Sequence, residues 1–242
     1  MIVLKEKNLA NSEFLISENE SFFFENLNLS QKVIIKVEKE RNVKLSFLAL
    51  EEIKGDLEIY LDEKCSVETY FADFSRFNIK FNVNVYLKDN SSITFHLASL
   101  TEKKSNKNFN VSIYHDGKNS FSLVDNYGVV KDEGKLVFDG VSYIKNGSIK
   151  SKTRQNAKIM VFDKDSIGIA KPILKIDEID IEASHGAVVG KINDDHLFYL
   201  ESRGLSEDQA KILITYGYLK PIMNGFDEKN KTLIENLIEG RA

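Results

Sequence analysis

Three stretches of this chain repeat one another, Leu57-Glu-Ile-Tyr60-Leu-Asp-Glu-Lys, Val83-Asn-Val-Tyr86-Leu-Lys-Asp-Asn and Val111-Ser-Ile-Tyr114-His-Asp-Gly-Lys. Each is an alternating strand that ends in Tyr, passes a polar turn and enters another alternating strand at Val67, Ile93 or Phe121. The tyrosines lie 86 − 60 = 26 and 114 − 86 = 28 residues apart. Strands and short turns recurring at that period without an intervening helix are what stacked solenoid coils produce. A β-sandwich of regular hairpins would give a similar pattern, and the spacing alone leaves both open. Before the repeat, Phe14 to Ile16, Phe22 to Phe24, Val33 to Val37 and Val43 to Leu50 read as further strands between polar turns.

The pattern changes at residue 193. Ile173 to Ile181 still alternates loosely, as half-buried extended chain does. From Asn193, an N-cap candidate, Leu197 and Leu200 lead to a terminating Gly204, which predicts a short helix. Ser206 and Gln209 form a capping box, with Glu207 and Asp208 at the positive end of the dipole, for a second helix to about Lys220, stopped by Pro221. A last helix from about Asp227 to Glu239 gathers Leu233, Ile234, Leu237 and Ile238 on one face. The expected organisation is a β core over residues 1–192 and a helical region over 193–242. A solenoid exposes apolar interior and unpaired backbone at its ends, and these helices are the expected covers.

Of the 242 residues 42% are hydrophobic and 29% charged, enough to bury a core, and no apolar run nears the length of a bilayer span. Met1 to Lys7 lacks the layout of a signal peptide, so a cytoplasmic protein is expected. A net charge of −4 argues against nucleic acid as the main partner, and the Lys103, Lys104, Lys107 cluster reads as a solvated loop. Cys65 is the single cysteine, which rules out an intrachain disulfide and any multi-cysteine metal site within one chain. As a residue type it reads as a small buried hydrophobe. No glycine-rich phosphate loop occurs, so any ATPase is another protein. His96 and His115 lack a ligand-spaced neighbour, and His196 falls in a helical first turn, where positive charge is unfavourable.

His185, between Ser184 and Gly186 and flanked by Ala183 and Ala187, is the leading candidate for chemistry, because an approachable imidazole can ligate iron or shuttle protons near neutral pH. On the residues alone, a structural histidine at a strand-to-helix corner is the plainer reading. Ser184-His185 with Asp194 and Asp195 makes a weak hydrolase signal, since adjacent residues on extended chain point opposite ways and no serine elbow is present.

An ordered series over about the last 110 residues resembles the SufB/SufD family of iron–sulfur cluster assembly proteins. It runs through Gly134 to Gly140 (GKLVFDG), Gln155-Asn156, Lys171-Pro172, Ser184 to Ala187, Val189-Gly190 and Leu197 to Gly204 (LFYLESRG). The resemblance implies a mainly β fold, a right-handed parallel β-helix with a small C-terminal helical region. Full-length members often carry a helical N-terminal region, which this chain is expected to lack. The family's matching histidine is implicated in cluster formation, so the resemblance makes His185 a cluster-assembly residue and candidate metal ligand. SufB-type members carry a cluster-building cysteine near the position of Ala157 and a Glu at Gly186, and SufD-type members often have Cys at Ala183. An alanine cannot hold iron or persulfide sulfur. The expectation is therefore a SufD-like scaffold subunit, not an enzyme by itself, pairing with a SufB-type subunit or a second copy of itself. Leu197, Phe198, Tyr199, Arg203, Gly204, Leu213 and Tyr216 would form its docking surface for the SufC-type ABC ATPase. A transient iron–sulfur cluster or iron shared with the partner is implied, with no tightly bound cofactor and no membrane or nucleic-acid partner. The alternative is a solenoid interaction protein that keeps SufC binding without cluster chemistry.

Overall fold

The computed structural model describes residues 2–4, 13–24, 32–53 and 55–241; of the stretch Met1 to Lys7, all but Ile2–Leu4 lies outside these. Successive strands alternate between two sheets. One sheet holds β1 (Ile2–Leu4), β3 (Ser21–Phe24), β5 (Asn42–Ala49), β7 (Ser66–Asp73), β9 (Ser92–Thr101), β11 (Phe121–Val130), β13 (Lys152–Val161) and β15 (Glu182–Lys191), in that order. The other runs β2 (Glu13–Ile16), β4 (Val33–Val37), β6 (Leu57–Leu61), β8 (Ile79–Leu87), β10 (Asn106–His115), β12 (Lys135–Ile144) and β14 (Ile167–Ile176). Neighbours within each sheet pair in parallel, as in β8 with β10 and β9 with β11. Each coil thus gives one strand to each sheet, and the molecule is a parallel β-helix.

Period-2 sequence puts every second side chain inside. Along β8 and β10 buried and half-exposed residues alternate without a break. Inside, Phe24 stacks on Phe47 at 4.4 Å and Phe71 on Phe81 at 4.9 Å. Outside, the repeat tyrosines are register partners, stacked at 4.5 Å (Tyr60–Tyr86) and 4.8 Å (Tyr86–Tyr114). Tyr143 continues the column at 4.6 Å, and the Lys175 ammonium lies 4.9 Å from its ring.

The helices form where their caps place them: α1 (Asp194–Ser202) after Asn193, α2 (Glu207–Leu219) after the Ser206–Gln209 capping box, and α3 (Glu228–Glu239) after Asp227. Lys220–Gly225, with Pro221 in its first turn, makes a 3-10 turn between α2 and α3. Their docking corrects the expectation that they cover the solenoid's ends. Leu219, Ile222, Met223, Phe226, Ile234 and Ile238 pack on Phe23, Leu48, Tyr70, Ala72, Phe74, Ala98, Leu100 and Val129, along the outer face of the eight-stranded sheet. There the alternation of β7 and β9 gives way to continuous burial, because both faces of the strands are covered.

Lys107 is a second correction. It is not in a solvated loop but on β10, in phase with Phe109 and Val111, and its side chain is fully buried. Its Nζ donates to Asp73 Oδ2 (2.6 Å), Ser75 O (2.8 Å) and Leu100 O (2.9 Å), so all three protons are spent.

Candidate functional site

The last strand of each sheet, β14 and β15, pairs with only one neighbour, so the C-terminal end of the β-helix is open among the described residues. Each is ten residues long with a free edge. His185 stands on β15 opposite Gln155 of β13, a buried residue, and so holds an inward-facing register position. It is nonetheless exposed, because among the described residues no further coil lies over it. Ser184 and Gly186 fall on the outer face, which separates the adjacent serine from the histidine. A Cβ at Gly186 would lie 3.6 Å from Asn156 Oδ1, an ordinary contact, so space does not demand glycine there.

The positions that lack the family's thiols share this setting. Ala183 and Ala187 alternate with His185 onto the interior side of β15, and Ala187 pairs with the buried Ala157. Cys65 cannot substitute for them. It precedes β7, four strands from β15, or roughly 19 Å at strand spacing. It is buried, its thiol donates to Glu38 O (2.8 Å), and burial raises its pKa. Among the described residues no three His, Cys, Asp or Glu side chains come together to hold a metal ion.

Beneath His185 the interior turns polar. Gln155 Nε2 donates to Ser142 Oγ (2.6 Å) and to Ile173 O (3.2 Å). Ser142 Oγ lies 2.8 Å from Thr153 Oγ1, which accepts from Ser122 Oγ at 2.8 Å. His115 Nε2 lies 2.9 Å from Ser122 Oγ, and Nδ1 lies 2.7 Å from Ser120 Oγ, whose hydroxyl also reaches Gly117 O at 3.1 Å. Burial pulls the His115 pKa down to about 4, so the ring is neutral near pH 7. The file runs through buried groups only. Ser120, Ser122, Ser142 and Thr153 carry no sequence signal of such a place, because Ser and Thr in alternating strands look like surface positions until the register is known.

On the helices, Phe198 (73% exposed), Tyr199 and Leu213 project from the surface, while Leu197 is half-buried. The Arg203 guanidinium lies 5.2 Å from the Tyr199 ring, and Gly204 takes φ +93°, the left-handed end of α1. Tyr216, half-buried, donates from its hydroxyl to Glu235 Oε1 at 3.2 Å. Phe198 and Tyr199 share α1, in which no residue is buried.

The sequence profile of the SUF system FeS cluster assembly, SufBD core domain, matches residues 54–218, more than half of the chain. The chain belongs to the SufBD family. The match takes in the tyrosine repeat, all of the open end and α1, and so reaches well upstream of the motif series. The SufD iron–sulfur cluster assembly protein of Bacillus subtilis is 37% identical over 118 residues, covering 49% of this chain and 27% of that protein. The SufD protein of Escherichia coli is 34% identical over 90 residues, 37% of this chain and 21% of the relative. A SufBD family iron–sulfur cluster assembly protein of Mycobacterium leprae is 28% identical over 125 residues, 52% of this chain and 14% of its own length. The chain thus spans about a quarter or less of these SufBD relatives. No described helix is long and apolar enough to cross a membrane.

Proposed function

We propose that this SufBD protein is a SufD-like scaffold subunit of a cytoplasmic Suf-type iron–sulfur assembly complex, without catalytic activity of its own. The observation that carries the reading is the open end, where an inward-register His185 lies beside the free edges of β14 and β15. A SufB-like subunit, or a second copy of this chain, would add strands to those edges and bring thiolate donors to the side of His185. One imidazole cannot hold an iron–sulfur cluster, which is cargo here, so the site is a shared one. The SufC-type ATPase would dock on the exposed Phe198, Tyr199 and Leu213, bounded by Leu197, Arg203, Gly204 and Tyr216. α1 follows β15 after two residues, so force applied at α1 would reach the strand that carries His185.

The test is co-purification with the SufC-type and SufB-type proteins of the same organism, followed by anaerobic reconstitution with iron and sulfide. A complex that forms with His185→Ala but yields no cluster absorbance is the expected result. Full cluster yield in that variant removes His185 from the site, and no complex at all removes the scaffold role. The alanines at positions 157 and 183 favour a second reading, an interaction subunit that binds SufC without cluster chemistry. It predicts a complex whose cluster yield is indifferent to His185.

A further inference from the structure

We infer that Gln155 is a positioning residue for His185, an inference that rests on the reading of His185 as the side chain turned toward the cluster. Gln155 stands one strand below His185 in the same inward file and is 3% exposed. Its carboxamide crosses the interior to the other sheet, where Nε2 donates to Ser142 Oγ on β12 and to Ile173 O on β14. A carbonyl oxygen only accepts, so the NH2 end must face Ile173, and the amide has one orientation. The carboxamide oxygen takes the space that a side chain at position 140 would need: a Cβ on Gly140 would lie 2.5 Å from Oε1. Glycine at 140 therefore opens the slot into which the amide fits. Ser142 is held in turn by the file through Thr153 and Ser122 to His115.

Gln155 thus ties β12, β13 and β14 together in the last coil with neighbours on both sides. Beyond it, β14 and β15 each have one partner strand, so the place of His185 against β14 is set by the spacing that this crossbar fixes. Pro172, the register partner of Gly140, precedes the carbonyl that Gln155 grips; it stands on an edge strand, where a missing N–H is tolerated. Gly140, Gln155, Pro172 and His185, scattered in sequence, meet in this one construction.

The experiment compares wild type, Gln155→Leu and His185→Ala by hydrogen exchange and by the ring 15N resonances of His185, with cluster yield measured per assembled complex. Gln155→Leu is expected to keep the fold and to exchange several-fold faster in 167–176 and 182–191 with 66–73 and 92–101 unchanged. It should also shift the His185 ring signals and lower cluster yield. Unchanged exchange in β14 and β15 together with unmoved ring signals overturns the inference. Should Gln155→Leu not fold, Gly140→Ala, which fills the slot and leaves Gln155 in place, gives the same comparison. Failure of the underlying reading shows separately, as full cluster yield in His185→Ala, because exchange and ring signals are read on the chain alone.

Discussion

His115 is fully buried and spends both ring nitrogens on serine hydroxyls, so its neutral form belongs to the fold. Its pKa falls from the ordinary 6.5 to about 4 on burial. A histidine depressed in the folded state contributes stability that is fully present above 6.5 and is lost as pH falls toward 4. The loss is about 3 kcal/mol over that window at 1.36 kcal/mol per pKa unit. Urea midpoints should drop between those pH values, and in His115→Gln the part of the drop that comes from this side chain should vanish. An unchanged pH profile in the variant would place the acid sensitivity elsewhere. At this scale the sequence was only half legible. Lys107 lies in phase with Phe109, Val111 and Ile113, which marks it as interior, but Lys103 and Lys104 next to it suggest a solvated loop. Only the third dimension supplies Asp73 as its counter-ion, from a strand 34 residues away.

Elements were more legible than the contacts between them. Helix caps announce themselves locally, through side chains that bond the first turn's N–H groups, and Asn193, Ser206 and Asp227 all do so. The turns hide better. Glu40, Lys64, Asn90, Asn119 and Lys150 take left-handed φ values of 52° to 62°, all without the glycine that usually marks such positions. Each is held by its N–H, which bonds a carbonyl one coil on, as Lys64 does to Asp89 O at 3.0 Å. Where the helices dock was not legible, because the paired apolar surfaces belong to distant segments. The 3-10 turn lies close against the sheet: Ser46 Oγ donates to Gly225 O at 2.6 Å, and a Cβ on Gly225 would lie 2.2 Å from Tyr70 Cγ. Gly225→Ala should therefore cost about 1–3 kcal/mol by overpacking. Thermal unfolding measures the loss, and hydrogen exchange should show it concentrated in α2 and α3; a neutral substitution would mean that this contact yields easily.

For the whole molecule, the decisive asymmetry is that the helical region lies along one sheet face and, among the described residues, leaves the C-terminal end of the solenoid bare. Two free ten-residue edges are a template for added strands. Their outer faces carry exposed Val188 (58%) and Ile173 (43%), and the inner face of β15 exposes Val189 (45%). Lysine on an edge strand opposes pairing because its ammonium must stay hydrated. Val188→Lys with Ile173→Lys changes two surface positions, so stability should hold within about 0.5 kcal/mol for each. If the SufB-like partner or a second copy adds to this end, the double variant should stay monomeric by light scattering where wild type associates, and cluster yield should fall with it. α1 remains intact in the variant, so binding of the ATPase, if it docks there as proposed, should persist. Undiminished scaffold pairing would move the interface off the open end, and with it the reason for an inward His185 to stand uncovered. Loss of pairing with ATPase binding retained would separate the two surfaces: strand edges for the scaffold partner, and the aromatic face of α1 for the motor.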